Sequence, residues 1–358
     1  MEQHRLASAL AGWLASRHPD KRDIVVADPR NPSQGYSNET WLCDLAWNDD
    51  GGARESRPLV LRIQTTAVGT FPDYDLAKQY QCMAALQDSA IPVPRLFGFE
   101  PDPALLGAPF FLMERVDGLV PIENPLYHLE GWLYDLPADQ QADRWMQGID
   151  AIARLARIDP RARGFDFLAA PEWRDDPLGQ QLEYFREYVR WAESLNRPYP
   201  HLQRAWAWLR DHRPAPAPGG LCWGDAKLGN CIFRNGRLVA MLDWEGAHLG
   251  TPVMDLAWWL TLDRCLCEGY GVPRLAGLPG REASVARWEA GAGRPATDLE
   301  YYEVFSAFKF ASIMARIGTL FQQRGLAPEG FQMDTDNGGA RLLGLLAERH
   351  DFGLPVSG

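Results

Sequence analysis

Apolar and polar positions change rhythm about a third of the way along the chain. Before that point the apolar residues come mostly in short runs. Residues 23–26, 39–47 and 58–64 are rich in β-branched, aromatic and aliphatic side chains and predict strands. Asn48-Asp49-Asp50-Gly51-Gly52, between the last two, predicts a hairpin turn. Leu6, Leu10, Trp13 and Leu14 recur instead at helical spacing, which predicts an amphipathic helix at the start of the chain. A second helix is expected over residues 73–89, stopped by Ile91-Pro92-Val93-Pro94, which cannot continue it. Residues 96–100 and 109–115 complete the predicted strands.

Past Val116-Asp117-Gly118, apolar residues recur every three or four positions over long windows. Residues 139–158, 178–194, 202–211, 252–267 and 298–323 predict helices. One hairpin interrupts them, with strands at 231–234 and 237–242 around Asn235-Gly236, a pair suited to the two positive-φ positions of a type I′ turn. The expectation is an α+β chain. A small antiparallel-sheet lobe with one helix set among its strands occupies 1–116, and a larger, mainly helical lobe occupies 117–358.

Composition changes this picture little. The chain has 358 residues, 46% apolar and 23% charged, ordinary for about two globular domains. Its net charge of −11, without a block of like charges, argues against a nucleic-acid or anionic-membrane partner. The six cysteines have no accompanying pair at zinc-ligand spacing, so they read as buried thiols of a reducing compartment. No apolar run approaches the roughly 20 residues that span a bilayer. Glu2 and the one-sided apolar face mark the start as a retained helix, and the expected location is the cytoplasm.

Candidate chemistry concentrates in one stretch, Leu221-Cys222-Trp223-Gly224-Asp225-Ala226-Lys227-Leu228-Gly229-Asn230, which runs through the predicted hairpin into Asp243-Trp244-Glu245. Phosphoryl transfer needs a carboxylate near the attacking hydroxyl, oxygen ligands for Mg²⁺ and positive charge on the phosphates. Asp225 and Asn230 have the Asp-x-x-x-x-Asn spacing of a kinase catalytic loop. In that reading Asp225 orients the acceptor hydroxyl, Asn230 offers an oxygen to Mg²⁺, and Asp243 holds the metal that bridges the phosphates. Any one of the three could merely cap a turn or end a strand. Together they flank two apolar strands at matched offsets, which favours function.

These residues, with Gly224, Leu249-Gly250-Thr251-Pro252 and Asp255-Leu256-Ala257, resemble the aminoglycoside phosphotransferase and choline kinase superfamily. Within it, the chain is similar to the kinase domains fused to some acyl-CoA dehydrogenases. The resemblance implies a bilobal protein-kinase-like fold, ATP and Mg²⁺ as cofactors, and a small-molecule hydroxyl as acceptor, of hydroxyacyl-CoA or aminoglycoside type. It implies that Asp225 and Lys227 are catalytic, Lys227 standing where many protein kinases carry a γ-phosphate lysine. Asn230 and Asp243 would hold the metal. Ser37 and Asn38 fall in a segment like the phosphate-covering loop, Arg62 where the family has its strand lysine, and Glu114 and Val116 where backbone holds an adenine edge. Asp255 reads either as a brace for the catalytic loop or as a helix-start carboxylate.

The chain departs from the family at four places, one of them Thr251, where the family often has Asp, which puts little in doubt. In the other three, Trp223 replaces the usual His before Gly-Asp, Arg62 replaces lysine, and Gln79 stands where a glutamate would pair with that lysine. Arginine keeps the charge but is not interchangeable with lysine. The last two departures leave a nucleotide-binding pseudokinase as the alternative. Trp258-Trp259 reads as packing, and His248 as structural or substrate-adjacent.

Overall fold

The structure, a computed structural model, describes residues 3–32, 38–65, 68–173, 175–217, 219–327, 330 and 332–350. The chain divides into two compact units, Met1–Gly118 with Val239–Glu245, and Leu119–Leu238 with Gly246–Gly358.

In the first unit, α1 (Gln3–Arg17) buries Leu6, Leu10, Trp13 and Leu14, the stripe predicted from its periodicity. They pack on a five-stranded sheet. Its strands are β1 (Arg22–Arg30), β2 (Glu39–Asn48), β3 (Arg54–Ile63), β4 (Leu96–Glu100) and β5 (Phe110–Glu114), with α2 (Leu76–Leu86) between β3 and β4. The spatial order is β1-β2-β3-β5-β4, antiparallel throughout. β1 runs past the predicted 23–26 because a register shift between Ala27 and Arg30 absorbs Asp28, whose φ is +48°.

The two-residue period of β3 decides where its functional side chain goes. Leu59, Leu61 and Ile63 join the core under α1 together with Cys43, Leu45, Phe110 and Leu112. Arg62, one residue out of step, therefore lies on the opposite face. α2 covers that face: Tyr80 stacks on Phe99 at 5.4 Å and packs against Phe111, the cross-strand partner of Arg62. Asp75 caps α2 by accepting the Lys78 N–H. The chain returns to this unit late, where the Met241 N–H donates to the Pro92 carbonyl at 2.8 Å.

The second unit contains α3 (Ala138–Leu155), α4 (Pro177–Ser194), α5 (Pro200–Asp211), β6 (Gly220–Cys222), β7 (Cys231–Arg234), β8 (Arg237–Met241, across the unit boundary), β9 (His248–Gly250), α6 (Val253–Leu266), α7 (Arg281–Ala292), α8 (Leu299–Gln323) and α9 (Gly338–His350). β7 and β8 form the predicted hairpin, with positive φ at Asn235 and Gly236, and β6 pairs antiparallel with β9. α6 lies at the centre, buried at every residue except Arg264. α3 crosses it at Gly148, where an added Cβ would stand 2.0 Å from the Trp259 ring. α8 has the length and composition of a membrane span, but it is largely buried inside this unit and packs along α6.

α7 and α9 lie outside the predicted windows. α7 is dominated by alanine and charged residues and shows little apolar period, whereas α9 buries Leu342, Leu343, Leu346 and Ala347 at helical spacing but opens on Gly338-Gly339, a poor helix start. All six cysteines are buried free thiols, and burial pushes Cys43 and Cys82 up to about 12 and Cys267 to about 11.

Candidate active site

β6 delivers the chain to Trp223-Gly224-Asp225. Asp255, in the first turn of α6, accepts the backbone N–H groups of Trp223 at 2.7 Å and Gly224 at 2.9 Å. Gly224 has φ +83°, and a Cβ there would stand 1.9 Å from the Gly246 carbonyl oxygen, so no side chain fits. Of the two readings open for Asp255, the brace is the one its hydrogen bonds describe. Burial pushes its carboxyl up to about 6, although the two N–H groups and Lys309 pull the other way.

The loop then turns Asp225 and Asn230 toward each other. The Asn230 amide Nδ2 donates to Asp225 Oδ2 at 2.7 Å and to the Asp225 carbonyl at 3.0 Å. Both partners are acceptors, so the amide orientation is fixed and its Oδ1 is left available to a ligand. The other carboxylate oxygen, Asp225 Oδ1, accepts the indole N–H of Trp258 at 2.9 Å. Lys227 Nζ lies 3.7 Å from Asp225 Oδ2 and 3.0 Å from Glu123 Oε2. Glu123 reaches in over Gly229, where a Cβ would meet its Oε1 at 2.4 Å. Asp225, Lys227 and Asn230 are thus brought together within the second unit.

The remaining predicted residues belong to the first unit. Arg62 Nη1 donates to Thr40 Oγ1 at 3.2 Å, and Nη2 lies 3.9 Å from Asp243 Oδ1, an ion-pair separation too long for a hydrogen bond. Arg62 Nε and Nη2 are buried donors without a hydrogen-bond partner among the described residues, as is Gln79 Nε2. Asp243 adopts φ +53°, a left-handed conformation that Asp visits more readily than most residues. Lys78 Nζ donates to the Glu245 carbonyl at 3.2 Å just beyond it, and burial pulls this lysine's pKa down. Asn38 is buried, and its Oδ1 has no hydrogen-bond partner among the described residues. Ser37 lies outside the described residues. Glu114 closes β5, its N–H donating to the Arg95 carbonyl at 2.7 Å, and Val116 follows half-buried.

This donor set fits the expected cofactors. Asn230 Oδ1 and the half-exposed Asp243 carboxylate are hard oxygen ligands of the kind Mg²⁺ takes. The orphaned N–H groups of Arg62 and Gln79 are donors that phosphate oxygens would satisfy.

A second cluster does not fit a metal. The ligand atoms of His128, Asp263 and Cys267 lie within 4.8 Å of one another. However, His128 Nδ1 accepts the Leu275 N–H, so in the neutral ring Nε2 carries the proton and has no lone pair for a cation. Asp263 is already taken by Tyr127 and Arg274. The cluster ties the 123–128 segment to α6 and the loop after it.

Four residues at these sites were not legible as such: Trp258, Lys309, Glu123 and Lys78. The expectation that Trp258-Trp259 only packs needs correcting, since Trp259 fills the notch at Gly148 but Trp258 bonds Asp225. Its position three residues after Asp255, on the same helical face, was the available signal. For Lys309 the signal was a lone lysine in an apolar helix; its ammonium donates to the Gly224 carbonyl. His248 is buried and bonded to the Gly246 carbonyl, as a structural residue would be.

The sequence model of the phosphotransferase enzyme family matches residues 29–294. Acyl-CoA dehydrogenase family member 10 of Mus musculus is 26% identical over 323 residues, which covers 87% of this chain and 28% of that protein. The chain spans well under half of the curated relatives it matches first. Among solved structures, a candidate aminoglycoside phosphotransferase of Ralstonia eutropha superposes with a TM-score of 0.68 at 22% identity, covering 96% of this chain and 97% of that one. A GDP complex of an aminoglycoside 2′-phosphotransferase superposes with a TM-score of 0.57 at 17% identity, covering 97% and 99%. These likenesses carry the fold, a bilobal protein-kinase-like α+β architecture.

Proposed function

The chain belongs to the phosphotransferase enzyme family, and from that premise we propose that it moves the γ-phosphoryl group of ATP, with Mg²⁺, onto a hydroxyl of a small molecule. The observation that carries this reading is the clamp on Asp225. One short loop presents a carboxylate whose plane is fixed by Asn230 and an amide oxygen that the same contact leaves available. Asp225 would orient the acceptor hydroxyl and take its proton as the acceptor oxygen bonds to the γ-phosphorus and the bond from that phosphorus to the β,γ-bridging oxygen breaks, releasing ADP. Asn230 and Asp243 would each offer an oxygen to Mg²⁺, which would offset the negative charge of the phosphates. Arg62, with Asn38 and Ser37, holds phosphate oxygens, Lys227 reaches the γ-phosphate, and the backbone from Glu114 to Val116 meets the adenine edge. Residues 1–116 would bind the nucleotide, and 117–358 would bind the acceptor and carry Asp225.

The acceptor class we put first is a hydroxyacyl thioester such as a hydroxyacyl-CoA. It is suggested by the name of the acyl-CoA dehydrogenase relatives. An aminoglycoside is second, suggested by the aminoglycoside phosphotransferases on which the fold superposes. The pseudokinase alternative gains no support: the Asp225–Asn230 pair is intact and Arg62 keeps a cation 3.9 Å from Asp243.

The test is phosphoryl transfer by the purified chain from ATP or GTP, with Mg²⁺, to both acceptor classes. Asp225→Ala should lower kcat by roughly 10²–10⁴-fold, the worth of a positioned acid or base, while nucleotide binding survives. An unchanged kcat removes Asp225 from the mechanism. A wild-type chain that consumes neither nucleotide with any acceptor removes the reading itself.

A further inference from the structure

We infer that Trp258 is a positioning residue for Asp225, held in turn by Lys309; the inference rests on the proposed role of Asp225 as the acceptor-facing carboxylate. A carboxylate on a loop turns easily, because the last torsion of an aspartate has a broad, shallow profile. Here the two oxygens are taken by different donors: Asn230 Nδ2 on Oδ2 at 2.7 Å and Trp258 Nε1 on Oδ1 at 2.9 Å. With both oxygens tied the carboxylate plane cannot swing, and the outward lone pairs keep one direction.

The donor is itself fixed from three sides. Trp258 is 5% exposed on α6, one turn after Asp255. That single turn therefore holds three successive loop residues, Asp255 taking the N–H groups of Trp223 and Gly224, and Trp258 the side chain of Asp225. From α8, Lys309 sets its ammonium 4.1 Å from the centre of the Trp258 ring and donates to the Gly224 carbonyl. A cation over the ring face holds the indole and draws electron density from it, which strengthens the N–H as a donor. Phe310 stands edge-on to the same ring at 6.1 Å.

A buried indole needs an acceptor wherever it sits, so a merely structural tryptophan must be told apart from a positioning one. Two readouts do this. The first needs no turnover: the indole N–H resonance of Trp258, assigned by its loss in Trp258→Phe, is followed in ¹⁵N-labelled protein. It should move in Asp225→Asn, which removes the charge from its acceptor.

The second readout is kinetic. Trp258→Phe should lower kcat roughly 10- to 100-fold, as loss of a charge-assisted hydrogen bond does, with KM for the nucleotide unchanged. In the Asp225→Asn background it should add no further loss. An indole resonance blind to Asp225→Asn, a wild-type kcat in Trp258→Phe, or equal losses in both backgrounds would each overturn the inference. If the resonance moves but the wild type transfers no phosphoryl group, the positioning stands and the proposed function fails.

Discussion

Asp255 carries the sharpest consequence at the scale of single residues. Its carboxyl is fully enclosed and sits at about 6, against an ordinary 3.8. The folded protein therefore binds this proton more tightly than the unfolded chain does. The resulting stabilisation is complete below about pH 4 and is lost as pH rises through 6. A two-unit shift corresponds to about 3 kcal/mol. Wild-type protein should thus lose up to about that much stability relative to Asp255→Asn between pH 4 and 7, read from urea unfolding of both at each pH. A difference that stays constant across the range would contradict the raised value. The Asp225–Asn230 contact could be read from sequence because their spacing lies within one loop. Trp258, Lys309, Glu123 and Lys78 could not, since their partners stand 33, 85, 104 and 167 residues away. A contact at that separation leaves no periodic trace.

Among the elements, the crossing of α3 and α6 depends on one absent side chain. Gly148 admits the Trp259 ring, which is buried and braced edge-on by Trp145 at 5.4 Å. Gly148→Ala would improve helix propensity by about 1 kcal/mol, but its Cβ would collide with a ring that has nowhere to go. The expected net result is destabilisation by about 1–3 kcal/mol, seen as a lower urea midpoint; an unchanged or raised midpoint would show that α6 can yield. Elements whose amphipathic stripe meets a single partner were legible, as with α1 and its Leu6, Leu10, Trp13 and Leu14. So was the Asn235-Gly236 hairpin, because its turn chemistry is local. α7 and α9 were not, because glycines in them serve close approach rather than helix formation. A Cβ at Gly338, for instance, would stand 2.4 Å from the Cys265 carbonyl oxygen.

For the whole molecule, the proposed roles of Asp243 and Asp225, which lie in different units, make a prediction that a single-site view would not. Asp243 sits opposite Arg62 in the first unit, and Asp225 is clamped by Trp258 and Asn230 in the second. Asp243→Ala should therefore abolish the Mg²⁺ dependence of nucleotide affinity in calorimetry, while Asp225→Ala leaves that affinity in place and loses transfer. Normal Mg²⁺-dependent binding in Asp243→Ala would remove its metal role. The late return of Val239–Glu245 to the first unit also limits how the gene can be cut. A fragment ending at Gly118 keeps the guanidinium but forfeits the carboxylate it faces, and the complementary fragment has the reverse defect. Chimeras that exchange whole units between relatives accordingly need junctions after Gly118, Leu238 and Glu245, and a single crossover would leave every progeny enzyme with mismatched parts.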